Sequence, residues 1–109
     1  MLRRIYDTQR AAHARAPMPD RATRERRLAA LESLLHDRLD DLADAIRCDF
    51  GNRSVHETRL LEVFPSLEAA RDARRHLARW MKPQRRGTSL WFLPGRSEVR
   101  CQPLGVVGI

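Results

Sequence analysis

The chain has 109 residues, 42% of them apolar, with 21 basic side chains against 14 acidic ones and a net charge of +7. That length sets a limit of one domain with a modest core, and 32% charged residues with clear helical periodicity exclude a disordered chain. No apolar run approaches the roughly 18–20 residues of a membrane span, Met1–Asp20 lacks the apolar core of a signal peptide, and two cysteines suit a reducing cytosol rather than a disulfide scaffold, so a cytoplasmic protein is expected.

Leu2 to Arg15 is predicted as a short helix. Its apolar face, Ile5, Tyr6 and Ala12, is thin and must lean on something larger. Ala16-Pro17-Met18-Pro19 stops it, because proline disfavours helical geometry in the residue before it. Asp20 then stands where an N-cap should. Leu28, Leu31, Leu35, Leu39, Leu42, Ile46 and Phe50 follow at spacings of 3, 4, 4, 3, 4 and 4, which predicts one continuous amphipathic helix up to Gly51. The acids Glu32, Asp37, Asp40, Asp41 and Asp44 lie mostly off this stripe.

Ser54-Val55-His56-Glu57 has the spacing of a capping box and opens the next helix. Its apolar face runs through Leu60, Val63, Phe64, Leu67, Ala70, Leu77 and Trp80. Pro65 falls inside the run and removes one intrahelical donor, so a kink or break is expected near Leu61–Pro65; the pattern stays in phase on both sides, which favours a kink. Pro83 closes the helix. Arg85-Arg86-Gly87-Thr88 reads as a polar loop, Leu90-Trp91-Phe92-Leu93 as a short strand stopped by Pro94-Gly95, and Ser97 to Gln102 as an exposed or edge strand. Leu104-Gly105-Val106-Val107-Gly108-Ile109 is apolar on both faces, as a strand inside a parallel α/β sheet would be. It reads as an unfinished βαβ unit, the alternatives being edge pairing with another chain or an apolar tail.

Chemistry-bearing residues are sparse. His13, His36, His56 and His76 have no metal-ligand spacing; His36 and Cys48 stand about 18 Å apart along a helix at 1.5 Å per residue. Cys48 sits near a helix C-terminus, where the dipole opposes a thiolate, and Cys101 lies beside Arg100; neither has a histidine at a defined spacing, so no nucleophile is assigned. Gly105-Val106-Val107-Gly108 lacks the third glycine, the lysine and the following helix of a phosphate loop. Of the 21 basic residues 20 are arginine, and Lys82 is the one lysine. The charge runs +5 over residues 1–27, −4 over 28–52, +3 over 53–82 and +3 over 83–109, interleaved with acids rather than gathered on one element. Solvated helix surface is the expectation, and a nucleic-acid role the minor one.

Gln102-Pro103-Leu104-Gly105-Val106-Val107-Gly108-Ile109 resembles the entry strand of the aldehyde dehydrogenase superfamily. Upstream, Asp49-Phe50-Gly51, His56-Glu57-Thr58, Pro65-Ser66, Ala73-Arg74 and Leu77 to Lys82 resemble its class-3-like branch, as do Gln9-Arg10-Ala11-Ala12-His13 and Glu25-Arg26-Arg27-Leu28. The resemblance spans nearly the whole chain. It implies an α/β parent fold, of which this piece would be mostly α-helical with a C-terminal β-hairpin and the first strand of the dinucleotide-binding sheet. Residues 1–83 would be N-terminal helices packing on the cofactor domain, 84–103 a loop and hairpin region, and 104–109 the first strand of a truncated NAD(P)-binding domain. It also implies oxidation of an aldehyde, of an aromatic kind, to its acid, with NAD or NADP as cofactor and a homodimeric parent enzyme. The family's catalytic cysteine, glutamate and oxyanion asparagine (the last in a Pro-Trp-Asn segment) map onto no residue here, so neither catalysis nor cofactor, metal or membrane binding is expected of these 109 residues. The alternative is a small basic helical module binding nucleic acid or a protein partner through its leucine stripe.

Overall fold

In the computed structural model of the chain, residues 1–107 are described; Gly108 and Ile109 lie outside them. The chain divides into two compact units, residues 21–79 and residues 1–20 with 80–109. The sequence boundary at residue 83 instead groups the first helix with the other helices.

In the first unit, helix α2 (Arg21–Asp37) starts directly after Asp20, and helix α3 (Leu39–Phe50) ends at Gly51, whose φ of 81° is a conformation glycine adopts without a Cβ penalty. The single helix expected from the leucine stripe is therefore two. Arg38 between them has φ −110° and ψ 19°, although the bonds from Arg38 N–H to Leu34 O (3.0 Å) and from Leu42 N–H to Arg38 O (2.9 Å) persist on either side. Asp40 and Asp41 occupy the first turn of α3, where carboxylates are favoured by the helix dipole, and Arg38 pairs with Asp41 at 2.8 Å. A helix start is thus encoded within the stripe. The Asp41 hydrogen bond and charge hold the Arg38 guanidinium above its ordinary pKa, so this pair persists wherever the carboxylate is ionised.

Helix α4 (Val55–Thr58) leads through a π turn (Arg59–Val63) into helix α5 (Phe64–Trp80). The π turn is the response to Pro65. Its ring would crowd the Leu61 carbonyl and offers it no donor; in the widened turn Phe64 N–H bonds Arg59 O, five residues back. The apolar face continues through the proline by widening, which is the form the expected irregularity takes. Ser54 occupies the N-cap position, but its side chain makes no capping bond. The capping box is not formed, because Glu57 turns instead toward Arg53, 3.9 Å away.

The core is small: Ala43, Thr58, Val63, Ala70 and Leu77 are the buried side chains among the described residues, all in this unit. α3 packs on α4 and the π turn. Charge pairs close the gaps. Arg59 binds Asp40 across to α3, and Arg74 lies 3.2 Å from Glu32 across to α2. Arg53 is the most embedded of the paired arginines, its side chain 19% exposed. It holds Glu62 at 2.7 Å, and its guanidinium lies 5.3 Å from the centre of the Phe50 ring. One side chain therefore joins the end of α3, α4 and the π turn.

The second unit contains helix α1 (Leu2–Arg15) and a two-stranded antiparallel hairpin of β1 (Gln84–Arg86) and β2 (Ser97–Val99), with Gln84 opposite Val99, Arg85 opposite Glu98 and Arg86 opposite Ser97. The polar loop expected at Arg85–Arg86 is thus a strand. The strand expected at Leu90–Leu93 is a 3₁₀ turn (Leu90–Phe92) followed by a cis Leu93–Pro94 bond. Local bonds decide this: Phe92 N–H to Ser89 O (2.9 Å), Leu93 N–H to Leu90 O (3.2 Å) and Gly95 N–H to Phe92 O (2.7 Å). Thr88 Oγ1 donates to Ser97 Oγ at 3.1 Å and accepts from Ser97 N–H at 3.0 Å, which ties the two ends of the loop. Residues 104–107 are in no strand, since no neighbouring strand offers a ladder. Gly105, at φ 122°, rests near His13 of α1.

A Cβ at Gly95 would stand 2.5 Å from the Phe92 carbonyl oxygen, whereas Gly87 faces open space. Gly95→Ala should weaken the hairpin by about 1–3 kcal/mol, erasing the Arg85–Glu98 cross-strand contacts in NMR spectra, while Gly87→Ala leaves them intact. Arg53→Met keeps the apolar stem but removes the pairing with Glu62, and should lower the urea midpoint of the helical unit, by an amount that shrinks with added salt. A urea midpoint equal to that of the parent chain would refute the role given to Arg53.

Candidate functional site

The four histidines lie apart in different local settings. His13 is half-buried on α1 beside Gly105, its ring 3.8 Å from the position a Cβ would take there. His36 is exposed next to Asp37 (3.6 Å), and His56 is exposed in α4. His76 Nδ1 lies 3.0 Å from both the Asp72 carbonyl and its carboxylate. Among the described residues, no three His, Cys, Asp or Glu side chains converge as metal ligands. Cys48, on the last turn of α3, and Cys101 are both free and exposed. Among the described residues, neither cysteine is hydrogen-bonded to a histidine. The Gly105–Gly108 stretch is described only to Val107 and opens no helix there.

The most built cluster is one the sequence reading did not single out: Phe50, Arg53, Glu57 and Glu62. Its signal was present as an aromatic three residues before the arginine and acids four and nine residues after it. Arg53 Nε and Thr58 Oγ1 are buried without hydrogen-bond partners, and Glu32 Oε1 is close to Arg74 but off hydrogen-bonding alignment. These are ion-pair and packing devices. None presents a nucleophile with a base, or converging donors for an anion in a cleft.

What the surface does present is apolar area. On the helical unit Phe50 (70% exposed), Leu60, Leu61 and Phe64 face outward around the π turn. On the other, Leu90 (83%), Trp91 (91%), Phe92 and Leu93 form a continuous exposed run at the hairpin tip, and Leu104 and Val107 are exposed beyond it. Contiguous apolar patches of this kind are unusual on a monomer's surface and mark sites of interaction or association. No helix among the described residues is long and apolar enough to cross a membrane.

No family model matches the chain, and no solved structure matches it. Curated proteins do. The chain is 44% identical over 108 residues to a probable coniferyl aldehyde dehydrogenase of Pseudomonas aeruginosa, an alignment covering 99% of this chain and 23% of that protein. It is 34% identical over 103 residues to the coniferyl aldehyde dehydrogenase of a Pseudomonas species, covering 94% of this chain and 21% of the relative. A probable coniferyl aldehyde dehydrogenase of Caulobacter vibrioides is 35% identical over 108 residues, with 96% and 22% covered. The chain thus spans between a fifth and a quarter of the length of these relatives, and the resemblance read from its motifs is met along almost all of it. By this homology the chain corresponds to an N-terminal part of an aldehyde dehydrogenase, of the coniferyl aldehyde dehydrogenase kind.

Proposed function

We propose that these 109 residues are the leading section of an NAD(P)-dependent enzyme that oxidises an aromatic aldehyde of the coniferyl type to its carboxylic acid, and that they have no dehydrogenase activity by themselves. The observation that carries the reading is the pairing of full-length similarity on this chain with partial coverage of its relatives, at 99% and 23% for one of them. The uncovered apolar faces support it physically, since they are the surfaces that the remainder of such an enzyme would bury. In this reading residues 1–83 brace the cofactor domain, 84–103 form a hairpin region used by the dimeric parent, and 104–109 enter the dinucleotide-binding sheet. Residues 104–107 would acquire strand pairing there from neighbours they do not have in this chain.

The residues present do not fit a dinucleotide site. Gly105 is occupied with the approach of His13, and no described helix follows it to offer its N-terminus to a phosphate. No step through the nicotinamide is therefore assigned to this section. Aldehyde oxidation also requires a thiolate, oxyanion donors and a base in mutual reach. Cys48 stands at the negative end of the α3 dipole between Arg47 and Asp49, and Cys101 is on an exposed segment, so neither is promoted to nucleophile.

The nucleic-acid alternative is weakened by the state of the arginines. Arg3, Arg21, Arg38, Arg47, Arg53, Arg59, Arg71, Arg74 and Arg100 each pair with a carboxylate of this chain. A phosphate-binding stripe would need those guanidinium groups uncompensated.

The direct test is to incubate the purified chain with coniferyl aldehyde and NAD or NADP and to follow reduced nicotinamide. None is expected, and its formation would overturn the assignment of catalysis to other parts of the protein. Reading the coding DNA beyond the codon for Ile109 should show a Pro-Trp-Asn segment and, further on, a cysteine nucleophile; a stop codon there would refute the proposed leading section. The apolar faces give a third check. The 109-residue chain should bind the dye ANS at neutral pH and unfold over a broad range of urea. A sharp cooperative transition without dye binding would mean those faces are satisfied in the chain as it stands.

A further inference from the structure

We draw no further inference here: the strongest candidate, the exposed apolar patch Leu90–Leu93 at the tip of the β1–β2 hairpin with Arg85, Arg86 and Arg96 beside it, carries nothing because the structure does not show what covers it.

Discussion

Burial is the quantity in shortest supply in this chain, and most of its structure follows from how that supply is shared out. Ala43, Thr58, Val63, Ala70 and Leu77 are the enclosed side chains among the described residues, and two of the five are alanines. Alanine at a helix contact permits close approach but contributes little apolar area; each buried Å² contributes roughly 25 cal/mol. The larger side chains, Phe50, Phe64, Trp91 and the exposed leucines, lie outside this core. Cohesion in the helical unit therefore leans on ion pairs anchored by long side chains. Glu32 with Arg74 and Asp40 with Arg59 each span two elements, and Glu62 with Arg53 ties the π turn to the connection before α4. Pairs of this exposure are individually weak, so the arrangement organises the helices more than it stabilises them.

Pro65 then shapes which apolar residues are enclosed. By removing a donor and crowding the Leu61 carbonyl, it widens the turn at Arg59–Val63. Val63 and Thr58 are inside, while Leu60, Leu61 and Phe64 are left outward. A regular helix would carry its apolar residues along one narrower stripe. The widened turn gives the segment a second apolar aspect that is exposed among the described residues. The proline is thus a local backbone constraint with a consequence for assembly: it fits a helix that packs on two sides.

Much of this was legible in the sequence, for reasons that differ by element. α1 ends at Arg15 because two prolines follow, and α3 ends at Gly51 because glycine accepts a positive φ; both signals are local and unambiguous. The break at Arg38 was not legible from periodicity, since a stripe records which side a residue faces and is insensitive to one altered ψ. The acids Asp40 and Asp41 marked it. The hairpin departs from the sequence expectation because apolar content is not strand content. Leu90–Leu93 is held by turn bonds from Ser89 to Gly95, while polar Gln84–Arg86 pairs because Ser97–Val99 lies opposite. Pairing is a property of two segments, and one segment's composition cannot report it. Arg53 was missed for the same reason: its partners are defined by the fold of a helix end and a π turn.

Arginine is well suited to this same economy. A guanidinium on a long apolar stem covers hydrophobic surface with its methylenes and keeps a planar, fork-shaped charge available for carboxylates. Arg53 does both at once, lying against the Phe50 ring while holding Glu62. Lysine could supply the stem and the charge, but not the flat face that rests on an aromatic ring. In a section with few enclosed side chains, arginine is the residue type that can bridge helices across a thin core and still leave the outer apolar faces clear. Those faces stay exposed among the described residues, in a chain that matches an N-terminal part of a much longer dehydrogenase.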